Sequence, residues 1–194
     1  MAVIYGTSGN DFKSGTNSKD SIYGFGGIDY LYGYGGDDFI NGGSGSDRLY
    51  GYSGNDNLYG SSGNDNLYGS SGNDRLYGSY DNDYLSGGSG NDYLTGDSGN
   101  DYLTGGSGYD TLYGGSGSDT FKASDGSGYA IIKDFNSGEG DKIDLANNHT
   151  SYKFLTFGSG NTADTWIYKG NDIIAIVSDV SENAGTFNPS SHII

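Results

Sequence analysis

The sequence lacks several residue types that define common classes of protein. It has no cysteine and a single proline, Pro189. Without cysteine, neither a disulfide framework nor a thiolate zinc site can form. His149 and His192 are the only histidines, and no zinc-protease, serine-hydrolase or phosphate-loop motif occurs in the chain. We therefore expect no catalytic residues and no enzyme activity.

Long apolar runs and basic residues are also scarce. No segment is long enough to cross a membrane, and residues 1–6 do not begin a signal peptide, so we predict neither a membrane span nor an N-terminal signal. Nine Lys and Arg stand against 25 Asp and Glu, for a formal charge of −16. This charge disfavours nucleic acid as a partner and favours cations.

What the chain does have is 38 glycines and a strict period of nine residues. A glycine stands five residues before each periodic aspartate, and an apolar side chain stands two residues after it, except at Lys13. A fixed period of this length indicates a repeat protein and not a disordered linker. The periodic aspartates are Asp11, Asp20, Asp29, Asp38, Asp47, Asp56, Asp65, Asp74, Asp83, Asp92, Asp101, Asp110 and Asp119.

Each nine-residue unit combines a glycine-rich turn with a very short strand. In residues 42–50 the turn is followed by Leu49, which should point inward, flanked by Arg48 and Tyr50, which should point outward. Two units close one coil, so residues 18 apart stack along the axis. The pattern therefore predicts an all-β solenoid with parallel strands about 4.8 Å apart.

Stacking places the aspartates in two columns of neighbouring carboxylates. Carboxylates about 5 Å apart repel by about 3 kcal/mol at an effective dielectric near 20. A divalent cation in each gap would turn this repulsion into binding. Because the available ligands are carboxylate and backbone carbonyl oxygens in a flexible turn, Ca²⁺ is favoured over Mg²⁺. We therefore expect folding to depend on Ca²⁺.

Residues 6–122 resemble RTX nonapeptide repeats, with the pattern Gly-Gly-x-Gly-x-Asp-x-(Leu/Ile)-x, most fully at 42–50, 87–95 and 105–113. The resemblance implies a right-handed parallel β-roll with Ca²⁺ in the turns. It also implies that each ion is bound by the aspartate and the carbonyls at motif positions two and four of one turn, and by the aspartate and the carbonyls at positions one and three of the next coil. One ion is then expected among Gly43, Gly45, Asp47, Gly60, Ser62 and Asp65.

Two turns depart from this motif. Ser18 replaces the glycine at position four before Asp20, with Lys19 beside it, and Asp81 replaces the same glycine before Asp83. The stacked aspartates define eleven gaps. Loss of binding at the two divergent turns would lower that number, so we predict about eight to eleven Ca²⁺ ions.

The period stops after Lys122. Residues 129–132, 152–157, 165–168 and 173–177 are rich in β-branched and aromatic side chains and predict longer antiparallel strands. Because an open solenoid end exposes a strand edge, we predict a roll over residues 1–122 and a β-rich cap over 123–194. Residues 134–145 resemble the stretch that follows the roll in RTX proteins, which implies a C-terminal signal for type I secretion and an extracellular protein.

The outward-facing tyrosines allow two interpretations of the surface. They either pack against one another across strands, or they form an aromatic platform for sugar rings, as in RTX modules of polysaccharide-modifying enzymes. The first interpretation predicts a structural Ca²⁺-binding roll, and the second a Ca²⁺-dependent module that binds polysaccharide or a cell surface. The tyrosines concerned are Tyr32, Tyr50, Tyr68, Tyr84 and Tyr102.

Overall fold

All regular elements in the described part of the chain are β-strands. The computed structural model describes residues 1–122, 127–145, 152–157, 164–169 and 172–177. Among these residues there is no helix with the length and apolarity needed to cross a membrane. The strands are β1 (Val3–Tyr5), β2 (Phe12–Ser14), β3 (Ser21–Gly26), β4 (Tyr30–Gly35), β5 (Phe39–Ser44), β6 (Arg48–Ser53), β7 (Asn57–Ser62), β8 (Asn66–Ser71), β9 (Arg75–Tyr80), β10 (Tyr84–Ser89), β11 (Tyr93–Ser98), β12 (Tyr102–Ser116), β13 (Thr120–Lys122), β14 (Gly128–Ile132), β15 (Lys142–Asp144), β16 (Tyr152–Phe157), β17 (Asp164–Lys169) and β18 (Asp172–Val177).

Successive strands alternate between two parallel sheets. Strand β5 pairs with β3 and β7 in the first sheet, and β6 pairs with β4 and β8 in the second. The register between partners is 18 residues, as in the pairing of Leu49 with Leu67. Two repeats therefore form one coil, which confirms the predicted parallel β-solenoid. The long strand β12 passes through one turn and contributes to both sheets.

The core between the two sheets of the roll is thin, because each repeat contributes one large apolar side chain to it. The apolar residue two positions after each aspartate from Asp20 onward is fully buried, while its neighbours on both sides are partly or largely exposed, apart from the buried Thr95. At the equivalent position of β2 the chain has Lys13, which is partly buried. The fully buried residues of the roll are Ile22, Leu31, Ile40, Leu49, Leu58, Leu67, Leu76, Leu85, Leu94, Leu103, Leu112 and Phe121.

The turns between strands use left-handed backbone at two positions. Counting the glycine five residues before each aspartate as position one, positions two and four have positive φ in every turn from Phe25 onward. Position four is Gly45 in one such turn, with φ of 119°. A β-carbon on Gly45 would clash with the carbonyl oxygen of Gly27, one coil earlier. Glycine is needed here both for its φ and for this close approach.

The strands that follow Lys122 continue the two sheets. Strand β15 pairs in parallel with β13, and β14 pairs in parallel with the second half of β12. The predicted antiparallel pairing of residues 129–132 is therefore wrong, because this run keeps the direction of the coil before it. Strand β17 pairs antiparallel with both β16 and β18, as predicted, and β18 joins β14 in parallel. The division of the chain at residue 122 stays a prediction.

Candidate metal centre

Eleven aspartates, one in each turn from Asp29 to Asp119, lie buried at the turns of the roll; we call them the ladder aspartates. In each one, Oδ1 accepts a hydrogen bond from the backbone N–H of the periodic aspartate one coil earlier. The Asp47 N–H donates to Asp65 Oδ1 at 2.7 Å, and the Asp65 N–H donates to Asp83 Oδ1 at 2.8 Å. These bonds hold every ladder carboxylate in the same orientation.

The second carboxylate oxygen is different. In all eleven ladder aspartates, Oδ2 is buried and has no hydrogen-bond partner among the described residues. A buried polar atom without a partner loses its hydration and gains nothing in return, and the penalty is larger for a charged group. One such atom would be a local irregularity, whereas eleven in one register form a row of oxygens suited to a positively charged ligand. The aspartates are Asp29, Asp38, Asp47, Asp56, Asp65, Asp74, Asp83, Asp92, Asp101, Asp110 and Asp119.

The electrostatics of the ladder lead to the same conclusion. Burial raises the pKa of Asp47 to about 6, and burial together with the neighbouring carboxylates raises the pKa of Asp65 to about 7 and of Asp83 to about 8. A raised pKa means that the ion-free fold disfavours the charged carboxylate. A cation placed between the carboxylates would reverse this preference.

Backbone carbonyls face the same gaps between coils. In the turn 24–29, the position-two carbonyl oxygen of Phe25 and the position-four oxygen of Gly27 lie where β-carbons on Gly43 and Gly45 of the next coil would be. The position-one carbonyl oxygen of Gly42 points in the opposite direction, toward Gly24. Oxygens from both coils, together with Asp29 Oδ2, therefore line one gap.

A hard divalent cation fits this set of oxygens. Within the residues that the structure describes, no three His, Cys, Asp or Glu side chains cluster closely enough to form a site by themselves. Ladder carboxylates meet only as neighbours along a column, so the remaining ligands must be backbone carbonyls. Ca²⁺ accepts such mixed carboxylate and carbonyl coordination, whereas a zinc site would need nitrogen or sulfur donors.

The structure brings together the predicted ligands of one ion. Gly43 and Gly45 share their turn with Asp47, and Gly60 and Ser62 share the next coil's turn with Asp65. The Ser62 carbonyl accepts a 2.8 Å hydrogen bond from the Gly45 N–H, and the Ser62 hydroxyl donates to the Gly43 carbonyl at 3.4 Å. Asp65 Oδ2 lies where it would clash with a β-carbon on Gly60. Their role as ligands remains a proposal.

The turn with Asp81 keeps the geometry of its neighbours. Asp81 adopts a left-handed φ of 73° without being glycine, and its carbonyl oxygen still faces Gly99 in the next coil. Its carboxylate accepts a 3.1 Å hydrogen bond from the Gly63 N–H, which helps to hold this unusual backbone. Asp83 Oδ2 lacks a partner among the described residues, as in the other ladder turns. The turn with Asp81 therefore presents the same kinds of oxygen to its gap as the other ladder turns do.

The first two periodic aspartates lie outside the ladder. Thr7 donates two hydrogen bonds to Asp11 Oδ2, and Thr16 donates two to Asp20 Oδ2. The hydrogen bonds from Thr7 lower the pKa of Asp11. Burial acts to raise the pKa of Asp20, but hydrogen bonds from Ala2 and Thr16 outweigh it and the pKa is lowered. These two carboxylates are satisfied without a cation.

Two further rows of side chains were missed at the sequence level. Asparagines immediately before the ladder aspartates bridge successive coils: Asn55 Oδ1 accepts the Asn73 N–H at 2.8 Å, and Asn73 Oδ1 accepts the Asn91 N–H at 2.7 Å. Serines at position three also bridge coils, as when the Ser71 hydroxyl donates to the Tyr52 carbonyl. In the sequence, the recurrence of Asn and Ser at fixed motif positions could have predicted these two rows.

The predicted tyrosine row is present on the second sheet. Tyr32 and Tyr50 have ring centroids 5.0 Å apart and planes 3° apart, and Tyr50 and Tyr68 are 4.9 Å and 7° apart. Tyr68 is tilted against Tyr84, which stacks on Tyr102. Parallel rings this close must overlap, so each covers a neighbour's face. Sugar stacking requires open ring faces, and the geometry therefore favours cross-strand packing.

The fold and the buried acidic turns together define a cation-binding parallel β-solenoid. The family model described as RTX calcium-binding nonapeptide repeat (4 copies) matches residues 5–40, 23–58, 32–67, 59–94 and 95–129. The chain belongs to this family, whose repeats bind calcium. It is thus a calcium-binding β-roll protein.

Two solved structures illustrate the range of proteins to which the chain is similar. The extracellular lipase LipA from Serratia marcescens is 17% identical, with a TM-score of 0.33 over 99% of this chain and 40% of the lipase chain. The AlgE6R3 subunit of the Azotobacter vinelandii mannuronan C5-epimerase is 19% identical, with a TM-score of 0.28 over 97% and 80% of the two chains. The chain thus spans well under half of the lipase's length. A search of curated proteins found no match.

Proposed function

We propose that this chain is a secreted structural β-roll whose folding is coupled to Ca²⁺ binding in its turns, without catalysis. The observation that carries the proposal is the row of eleven buried Asp Oδ2 atoms that have no hydrogen-bond partner among the described residues. Ca²⁺ would bind these oxygens together with the position-two and position-four carbonyls of one turn and the position-one and position-three carbonyls of the next coil.

The coupling between folding and binding follows from how the site is built. Each gap takes oxygens from residues 18 apart, as in the pairing of the Asp47 and Asp65 turns, so no gap exists before two coils have stacked. The thin core adds only one buried apolar side chain per strand. Free energy of Ca²⁺ binding therefore becomes free energy of folding.

Export before folding suits such a chain. Where Ca²⁺ is scarce, the repelling ladder carboxylates keep the chain open, and folding would follow in an environment rich in Ca²⁺. We propose type I secretion, with its signal in residues 123–194, on the similarity of residues 134–145 to the stretch that follows RTX rolls. The same segment is proposed to cap the roll.

The proposal is tested by circular dichroism of the full chain. In chelator the spectrum should be that of an unfolded chain, and adding Ca²⁺ should restore the β signal in one cooperative transition. Mg²⁺ at the same concentration is the matched control and should be much less effective, because it prefers small octahedral sites. A chain freed of all metal that keeps its full β signal would refute the proposed coupling.

The alternative as a polysaccharide-binding module predicts a different result. The Ca²⁺-loaded protein would then be retarded in affinity gels that contain polysaccharide, and Tyr50→Ala would abolish the effect. Because the ring of Tyr50 is covered by Tyr32 and Tyr68, we expect no retardation through this row. Retardation that Tyr50→Ala removes would support the alternative.

A further inference from the structure

The first two turns satisfy their aspartates with protein groups. Asp11 Oδ2 accepts the Thr7 N–H at 2.6 Å and the Thr7 hydroxyl at 2.9 Å. Asp20 Oδ2 accepts the Thr16 N–H at 2.7 Å and the Thr16 hydroxyl at 2.8 Å. This is the same oxygen that, within the described residues, lacks a partner in the ladder aspartates from Asp29 onward. A threonine at position two thus supplies two donors to the oxygen that has no partner among the described residues in the ladder turns.

The backbone of these two turns differs in the same way. Positions two and four have positive φ in every turn from Phe25 onward, but Thr7 and Thr16 do not adopt this conformation. In the later turns, left-handed residues direct the position-two carbonyl toward the next coil, as Phe25 does toward Gly43. In the first two turns the position-two N–H is directed at the aspartate of its own turn.

The other carboxylate oxygen is also satisfied at this end of the roll. Inside the ladder, Oδ1 accepts an N–H from the coil before. Asp20 Oδ1 accepts the N–H of Ala2, which is 18 residues earlier and so continues the pattern. Asp11 Oδ1 instead lies 3.2 Å from Nζ of Lys13. Lys13 stands where the later repeats have an apolar residue, and its ammonium group pairs with Asp11 Oδ1.

We propose that the first two turns form an ion-free N-terminal cap and that the calcium ladder begins at Asp29. This inference rests on the proposed function, in which the later turns bind Ca²⁺. We count the gaps in which both stacked aspartates have an Oδ2 without a partner among the described residues. There are five such gaps in the column from Asp29 to Asp119 and four in the column from Asp38 to Asp110. The roll then holds nine Ca²⁺ ions between its coils, and the gaps above Asp11 and Asp20 hold none.

The first test compares two isosteric substitutions. Asp20→Asn keeps an oxygen that can accept the hydrogen bonds from Thr16, so the cap should tolerate it and the number of bound Ca²⁺ should not change. Asp56→Asn removes the charge of a ladder carboxylate and should lower the number by one or two. Native mass spectrometry of the full chain in excess Ca²⁺ counts the ions. The Ca²⁺ midpoint for folding should rise at least about tenfold for Asp56→Asn only, because ligand charge sets affinity.

The possible results separate the two proposals. If Asp20→Asn loses an ion as Asp56→Asn does, the cap inference is wrong while calcium binding by the ladder stands. If neither variant changes the ion count or the Ca²⁺ midpoint, the ladder aspartates are not calcium ligands, and the proposed function fails together with the cap.

The second test is to create a Ca²⁺ site in the first turn by substitution. The first turn already has Gly6 at position one and Gly9 at position four, so Thr7→Gly completes the motif with a single change. The change removes the Thr7 hydroxyl donor, and glycine lets position two adopt the left-handed backbone of the later turns, which would direct its N–H away from Asp11 Oδ2. Asp11 Oδ2 would then be free for an ion, and the bound Ca²⁺ should increase by one. Thr7→Ser, which retains the hydroxyl, is the matched control and should leave the number unchanged. An equal count in the wild type and both variants would overturn the role of Thr7.

Discussion

At the scale of single residues, one carboxylate oxygen distinguishes two kinds of turn. Asp29 and Asp11 occupy the same motif position, yet Asp29 Oδ2 lacks a partner in the described part of the chain and Asp11 Oδ2 has two donors from Thr7. Burial raises the pKa of Asp29, whereas the Thr7 hydrogen bonds lower that of Asp11. The neighbours of the aspartate, and not the aspartate itself, therefore decide whether a cation is required.

The raised pKa values predict opposite effects of pH with and without calcium. In the ion-free chain, groups whose folded-state pKa is raised stabilise the fold while they are protonated, and this stability is lost as pH rises from about 4 through about 6 to 8. In chelator, the β signal should therefore be greater at about pH 5 than at about pH 7.5. With calcium, protons compete for the ladder carboxylates, and the Ca²⁺ midpoint should be higher at about pH 5.

Circular dichroism titrations at both pH values measure these effects. Asp20→Asn is a suitable control, because the pKa of Asp20 is lowered and its carboxylate stays charged throughout this range. The variant should show the same pH dependence as the wild type. A Ca²⁺ midpoint that does not change with pH would argue that the buried ladder carboxylates do not bind the ion.

The sequence predicted the residues of the ladder but not the state of each one. The nine-residue period identifies all thirteen aspartates, and the structure stacks Asp47 and Asp65 in successive coils, while their role as Ca²⁺ ligands stays a prediction. The period does not reveal that Thr7 replaces a cation, because that depends on the backbone conformation of its turn. Lys13 breaks the apolar column in the sequence, and only its distance from Asp11 explains why.

At the scale of the elements, the turn is the unit that builds a site. Two left-handed residues direct successive carbonyls toward the next coil, while strand pairing sets the spacing of 18 residues. Non-glycine residues also adopt this conformation at position two, with φ of 86° at Ser61 and 71° at Tyr52. Their strained backbone is consistent with a turn that a bound cation helps to hold.

Substitution of a position-four glycine should disrupt one turn. Gly63 has φ of 115°, and a β-carbon there would clash with the carbonyl oxygen of Gly45. We predict that Gly63→Ala destabilises the folded state by about 1–3 kcal/mol, because it combines an unfavourable φ with this clash. Chemical unfolding in excess Ca²⁺ measures the change.

The neighbouring serine provides the control for this substitution. Ser62→Ala removes only a 3.4 Å hydrogen bond to the Gly43 carbonyl and should cost well under half as much. Equal losses of stability in the two variants would show that the turn does not depend on the close approach of Gly45 and Gly63. The glycine at position four was predicted from the motif, whereas its packing against the previous coil required the structure.

At the scale of the whole molecule, the end of the ladder is closed by side chains beyond Lys122. Asp134 accepts hydrogen bonds from the N–H groups of Gly114 and Gly115, and Asp141 accepts one from the N–H of Asp119. Phe135 is fully buried, with its ring 6.3 Å from that of Phe121. The last coil therefore depends on residues 134–145 for its hydrogen bonds and for part of its core.

Two truncated chains separate the contribution of residues 134–145 to folding from that of the rest of the C-terminal segment. A fragment of residues 1–122 keeps every periodic aspartate but exposes Phe121 and the last turn. We predict that it folds only at a higher Ca²⁺ concentration or by aggregating, because its open end exposes apolar surface and a strand edge. A fragment of residues 1–145 retains Asp134, Phe135 and Asp141 and should fold closer to the full chain. Circular dichroism and light scattering during Ca²⁺ titration distinguish the three proteins.

The outcome bears on the proposed division of the chain. If the 1–122 fragment folds as a monomer at the same Ca²⁺ concentration as the full chain, the capping role of residues 123–194 is wrong. The sequence predicted the need for a cap from the open solenoid end. It did not predict that β14 and β15 extend both sheets, because their spacing no longer follows the nine-residue period.

The number of Ca²⁺ ions on the folded chain tests the central claim most directly. Native mass spectrometry of the full protein, after removal of metal and return of excess Ca²⁺, reports this number for each folded molecule. If the unpartnered carboxylate oxygens are calcium ligands, the count should be about nine, one for each gap between ladder aspartates. A folded protein with one or two bound Ca²⁺ would contradict the account, since most of the buried carboxylates would then lack a cation.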